Sequence, residues 1–393
     1  MAGSPHDVDL AKLLPLELYC HIFSFVSLKR DLCQLSLTSR MFNHETIPLI
    51  YRSVDLTISP KQLSLFADTL AMNQDARLMS IVRELAIKWW ARRRRSLGPA
   101  NTTITVFWET CGRILPLLHN LRVLAFNPGN SSNWEFGEVF SDCSFKLEAL
   151  HTQSLDLKDV HSFLHHHPTI RHWTHQSPFL VRETSLRLHE LILPNLRSLE
   201  ADVEILAAIE GSRPLEQICL HYFDGDLNLD NSVLRNLGLF RETLVALTLD
   251  REFSEADIDC QDVIKFIAEQ APALERLSIL DNVKPSAARQ PTDTAVNRFV
   301  TSLAVLKRLQ EFQYSPARWD TDSWWWRACA EGTLRVVVTF FDWNLSLRVV
   351  TFPTNGFQVE AYSDSIPAVS YSKAPGGDIK QTPVILNFRG DHW

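Results

Sequence analysis

Glycine is scarce in this chain, 13 of 393 residues, and the scarcity excludes a good deal. Phosphate-cradling loops need glycine where backbone amides approach an anion, and no glycine-rich loop precedes a lysine here. No GxSxG nucleophile turn and no HExxH helix occurs either. The seven cysteines, at 20, 33, 111, 143, 219, 260 and 329, form no CxxC pair and are odd in number. That is neither a disulfide framework nor a zinc-ligand spacing, and it points to a reducing compartment. No apolar run reaches the ~18 residues a membrane span requires. The opening MAGSPHDVDLAKLL has no cationic segment ahead of an apolar one, so no secretory signal is expected. Basic residues number 39 against 46 acidic, a net charge of −7. General nucleic-acid binding, which needs a basic footprint, is therefore not expected.

What is present is ordinary globular material, 45% hydrophobic and 22% charged. The length exceeds one compact core and predicts several domains or a repeat array. The stretch 13–42, LLPLELYCHIFSFVSLKRDLCQLSLTSRMF, organises the N-terminus. A first helix is expected from Leu14-Pro15, where proline's missing N–H is no loss. Leu14, Leu18, Ile22 and Val26 rise along one face, and Leu16, Tyr19, Phe23 and Val26 along a neighbouring one. Asp31 is read as the start of a second helix carrying Leu32, Leu35 and Leu37. A third segment holds Met41, Phe42, Ile47, Leu49 and Ile50, bent or interrupted at Pro48. About 40 residues is near the lower limit for a domain folding alone. Such a unit leaves an apolar face over, to be covered by a partner or by the rest of the same chain.

Leu14, Pro15, Glu17, Leu18, Ile22, Phe23, Asp31, Leu32, Leu35, Ser36, Ser39, Arg40 and Phe42 stand in an order that resembles the F-box. The resemblance covers about a tenth of the chain, and Lys29-Arg30 replace a turn that often holds proline in that family. It implies docking on the Skp adaptor subunit of a cullin–RING ubiquitin ligase. By motif position, Leu14, Pro15, Leu18, Ile22 and Phe23 would face the adaptor, with Leu28 and Leu32 nearby.

Beyond it, YRSVDL at 51 alternates like a strand, and Ser59-Pro60-Lys61-Gln62 reads as the capped start of a helix. A hexapeptide then recurs: apolar, two variable, apolar, one variable, apolar. Copies are VRELAI at 82, LRVLAF at 121, LEALHT at 147, IRHWTH at 170, LRSLEA at 196, LEQICL at 215, LVALTL at 244 and LERLSI at 274. Weaker copies are LQEFQY at 309, LRVVVT at 334 and LRVVTF at 347. The alternating fourth and sixth slots predict a strand with one buried face. Helical spacing lies between several copies, as at Val160 to Leu164, Val233 to Leu237, Val263 to Ile267 and Val296 to Leu306. Strand plus helix at this period reads as an α/β solenoid resembling leucine-rich repeats. It is an irregular one, since the asparagine expected at the ninth position of each copy is found only as Asn282.

The expected organisation is a flexible N-terminus over 1–12, an F-box over 13–50, an irregular solenoid over 51–362, and a C-terminal loop with a capping strand over 363–393. The capping strand is read from TPVILNFRG at 382.

Three stretches invite other chemistry. His161 and His165 lie one helical turn apart amid His166, His167, His172 and His175. No cysteine or acid joins them at ligand spacing, so polar loop and strand-face histidines are the expectation. Arg92 to Arg95 reads as a solvated loop, a phosphate or degron contact, or a nuclear import signal. Trp324-Trp325-Trp326 opens a helix, and three consecutive indoles cannot all face one core.

No catalytic residue, cofactor or metal is expected, and paired RING ligands are absent. The function expected is that of a substrate-recognition adaptor, with a solenoid scaffold acting outside ubiquitin transfer as the alternative. Substrate contacts are expected at slots three, five and seven of the copies: Asn127, His151, Gln153, His172, Thr174, Gln176, Glu200, Asp202, Gln217, His221, Asp250 and Arg276. The expected partners are the Skp subunit, the cullin–RING ligase behind it and an unknown protein substrate, in cytosol or nucleus.

Overall fold

A computed structural model describes residues 15–56, 60–72, 77–88, 100–129, 139–177, 186–222, 234–252, 260–282, 292–316, 324–353 and 365–387. The chain divides into two units, Met1–His151 and Thr152–Trp393.

The first unit opens with three helices, α1 (Leu16–Ser24), α2 (Lys29–Ser36) and α3 (Arg40–Arg52). Pro15 caps α1 instead of entering it, and Asp31 lies inside the first turn of α2, where a carboxylate suits the positive end of the helix. Ser39 caps α3 by accepting the N–H of Phe42 at 3.1 Å. Of the bend or interruption expected at Pro48, the interruption does not occur, and α3 runs through it. The N–H lost at Pro48 falls opposite His44, whose carbonyl accepts from the Arg77 guanidinium at 3.4 Å. Tyr19, Phe23 and Leu32 form the core, flanked by Val26, Leu35, Met41, Phe42, Leu49 and Ile50. The rings of Phe23 and Phe42 meet edge to face at 5.0 Å, and Lys29 reaches the carbonyl of Ser53.

β1 (Ser53–Leu56), α4 (Pro60–Met72), α5 (Arg77–Ile81), β2 (Glu84–Lys88), α6 (Ala100–Ile114) and β3 (Val123–Asn127) follow. β1, β2 and β3 pair in parallel in chain order. β4 (Ala149–Gln153) lies at the boundary between the units.

The second unit continues with α7 (Leu157–His166), β5 (His172–Gln176), β6 (Ser198–Asp202), α8 (Val203–Ala208), β7 (Gln217–Tyr222) and β8 (Ala246–Glu252). Then come α9 (Cys260–Gln270), β9 (Arg276–Asn282), α10 (Thr292–Leu303), β10 (Glu311–Pro316), α11 (Trp324–Trp343) and β11 (Val349–Pro353). β5 to β11 pair in parallel in chain order, and β12 (Ser365–Lys373) and β13 (Ile379–Asn387) close as an antiparallel hairpin on β11.

Ten of the eleven hexapeptides become strands, each entering its strand at the third residue. The first, fourth and sixth residues are buried throughout, from Val82, Leu85 and Ile87 to Leu347, Val350 and Phe352. In eight of these copies two amides donate to the second-residue carbonyl of the copy before, as Glu216 and Gln217 do to Arg197 at 2.8 and 3.0 Å.

LRVVVT at 334 is the exception and lies within α11. Val336, Val337, Phe340 and Phe341 bury themselves at helical spacing, which overrides the strand preference of three successive valines. Of the helical spacing at Val233 to Leu237, Val233 lies outside the described residues, and the remainder enters a 3₁₀ helix over Arg235–Phe240. The run expected as C-terminal loop contains β12, because Ala368 and Tyr371 face the interior and every ladder position finds a partner on β11 or β13.

The asparagine signal reappears at another slot. Asn195 donates to Pro168 at 2.9 Å, and Asn344 to the carbonyls of Leu303 and Leu306 at 3.1 and 3.4 Å. Asn120 does the same toward Ser80 at 2.9 Å. Each of these amides ties the segment ahead of a strand to the end of an earlier helix or to the turn just after one.

Candidate functional site

α1 has two faces set by its period. Tyr19, Phe23 and Val26 turn inward, while Leu18 and Ile22 stand 44% and 48% exposed. Phe25 and Leu28 extend this apolar stripe at 74% and 62%, and Pro15 is also exposed. Phe23, expected to face an adaptor, and Leu32, expected near that contact, are buried in the core of the three helices. Their angular position explains it, since Phe23 lies about 100° round the helix from Ile22. Leu14 lies outside the described residues.

The second candidate region is the face of β5 to β9 opposite the apolar slots. Among the expected contacts, His172, Gln217 and Arg276 at slot three are exposed. Asn127, Gln153, Gln176 and Glu200 are half-buried. His151, Thr174, Asp202, His221 and Asp250 are buried, contrary to the exposure expected of them. The spacing of about 4.8 Å between strands lets side chains in one register row cover each other. Asp202, His221 and Asp250 are register partners, as are Glu200, Cys219 and Thr248. Successive same-face residues on three strands thus make a grid of two rows.

Within the grid, His221 Nε2 lies 3.1 Å from Glu200 Oε1 and 3.8 Å from Cys219 Sγ. Its Nδ1 lies 3.4 Å from Asp250 Oδ2. Burial opposes protonation of His221, but hydrogen bonds with Asp250, Cys219 and Glu200 outweigh it and lift its pKa well above the ordinary histidine range. Burial raises the Cys219 thiol, partly offset by His221. Burial also raises Asp202 to about 6, although its Oδ2 accepts the Ser177 N–H at 2.9 Å. Cys219 escaped sequence reasoning, although Cys-x-His alternation on one strand places both side chains on one face.

The histidine-rich stretch does not form one cluster. His165, His166 and His172 are exposed, while His167 and His175 are buried. His175 occupies an apolar sixth slot and bonds Thr152 Oγ1 at 2.9 Å. Arg92 to Arg95 lie outside the described residues, and α11 begins at Trp324.

An F-box-like family model matches residues 11–57. Its span takes in all three N-terminal helices and β1. The chain therefore carries an F-box-like domain, and domains of that kind bind Skp-type adaptors in Skp–cullin–F-box ubiquitin ligases. No curated protein matches the chain.

Proposed function

We propose that this protein is a non-catalytic substrate-recognition adaptor of a Skp–cullin–F-box ubiquitin ligase. The observation that carries the reading is the exposed stripe Leu18, Ile22, Phe25 and Leu28 on and after α1, inside a match to the F-box-like family. Burying such side chains contributes about 1.5–3 kcal/mol each. Several together are needed to offset an association cost on the order of 4–15 kcal/mol.

The strand–helix array, an irregular solenoid on this reading, captures a protein. Its contact surface is the slot-three row His172, Ser198, Gln217, Ala246, Arg276 and Glu311, whose members are register partners. The half-buried Gln153, Gln176 and Glu200 add polar contacts. Mixed polar chemistry of this kind suits a protein surface better than a phosphate or an apolar small molecule. Acceleration comes from holding substrate lysines beside the charged conjugating enzyme, which raises effective concentration. The work is done in cytosol or nucleus, where such ligases act.

The test is co-purification of the full chain with a recombinant Skp adaptor. The chain retains the adaptor, and Ile22→Asp loses it by at least ~100-fold in affinity, roughly 3 kcal/mol, while keeping its circular dichroism. A folded chain that ignores the adaptor overturns the reading and leaves a scaffold acting outside ubiquitin transfer.

A further inference from the structure

The grid on β6, β7 and β8 brings together side chains of metal-ligating type. Glu200, Cys219 and His221 each present one donor atom, and the three atoms lie within 4.8 Å of one another. Zinc bonds of about 2.0–2.3 Å in a tetrahedron set donor–donor edges of roughly 3.3–3.6 Å. The observed edges at His221 Nε2 are 3.1 Å to the Glu200 carboxylate and 3.8 Å to the Cys219 sulfur. Two of the three edges thus stand close to tetrahedral zinc spacing, and the third is within 4.8 Å.

Asp250 completes the arrangement from behind. By accepting from Nδ1 at 3.4 Å it holds the proton there, so that a metal displacing the Nε2 proton meets the lone pair on the side of Glu200 and Cys219. Its other oxygen, Oδ1, is buried with no hydrogen-bond partner among the described residues. Asp202, register partner of His221, is buried too, with Oδ1 in the same condition. Three carboxylates around one imidazole put an excess of negative charge in a poorly solvated place, which a divalent cation offsets.

We propose that Glu200, Cys219 and His221 form a three-ligand site for a divalent transition metal, zinc by preference, with Asp250 as the positioning residue for His221. Mixed sulfur, nitrogen and oxygen donors suit zinc better than magnesium or calcium, which prefer oxygen alone. Three protein ligands leave a fourth position for water or an outside donor.

Cobalt(II) is the probe, because a thiolate ligand gives it a charge-transfer band that oxygen and nitrogen ligands do not. The reduced, chelator-treated full chain is titrated with cobalt(II) and then with zinc(II). One equivalent of cobalt raises the band, and one equivalent of zinc abolishes it. Cys219→Ser removes the band although the other cysteines remain, and Asp250→Asn weakens affinity about 10–100-fold. Glu200→Gln, at a half-buried position that tolerates an isostere, weakens binding by at least as much and serves where Cys219→Ser does not fold. A chain that binds no cobalt overturns the proposal and leaves the cluster an ion-paired imidazolium. A band that survives Cys219→Ser, or an affinity unchanged in Glu200→Gln, overturns it equally, as metal held elsewhere.

Discussion

Arg213 is a buried cation enclosed largely by backbone. Its guanidinium donates to the carbonyls of Leu188, His189, Ile192, Glu210 and Gly211 at 2.8–3.3 Å. A planar fork suits that many acceptors, and nothing in the local sequence SRPL announces the role. Arg213→Met, similar in length but without donors, is expected to cost on the order of 3–5 kcal/mol, read from urea midpoints. Arg213→Lys restores part of that, since an ammonium has only three donors. His175 gives a second prediction, in pH. Burial pushes its pKa down to about 4, below the ordinary 6.5 of an unfolded chain. Its contribution is complete above the unfolded value and declines as acid protonates the unfolded chain first. Between pH 7.5 and 5 it accounts for a loss of about 2 kcal/mol, and His175→Gln, which cannot titrate, shows a correspondingly smaller loss in urea titrations at the two pH values. At this scale the sequence was least legible. Slot numbering separates strand faces, but His221 and Asp250 are buried by neighbours from other copies, and one copy's sequence does not show those neighbours.

Whole elements were easier to read, because periodicity reports them directly. Ten hexapeptides mark their strands by the same residue, and near α1 the track of Tyr19, Phe23 and Val26 packs inward while Leu18 and Ile22 stay exposed. The misreading at LRVVVT has a clear cause. Three valines favour a strand locally, whereas Val337 and Phe341 stack one helical turn apart and are both fully buried. The asparagines were sought nine residues into each copy and lie just ahead of the strand instead. Asn344→Ala removes two donors to the end of α10 and its vicinity, together with acceptance from Ser346 at 3.2 Å. It is expected to cost roughly 1–3 kcal/mol by thermal or urea unfolding. Within α1, Phe23→Ala and Ile22→Asp separate the faces. The first is expected to lower the stability of the three helices by about 3–5 kcal/mol, whereas the second, at an exposed site, changes stability little and adaptor binding greatly.

For the molecule as a whole, the division of labour predicts a separation of phenotypes. In a reconstituted ligase, Ile22→Asp abolishes ubiquitin transfer while substrate capture by the array persists, measured by pull-down beside the transfer assay. Charge reversal in the slot-three row, such as Arg276→Glu, weakens capture and leaves adaptor binding intact. Loss of both functions from either change would show that the two activities are not carried by separate surfaces. The F-box-like domain was legible because a short motif concentrates it. The array was legible only through its recurrence, because no single copy departs far from common leucine-rich sequence.

The strand-to-strand joint has a further consequence. Eight of the copies are hooked to the one before by two amides on a single carbonyl, whether the copies start at 196 and 215 or at 82 and 121. The stitch is thus indifferent to how much chain lies between stitches. Segments between copies can lengthen, shorten or change wholesale over evolutionary time without unpicking the strands, so new binding specificities can be acquired there at little cost to folding.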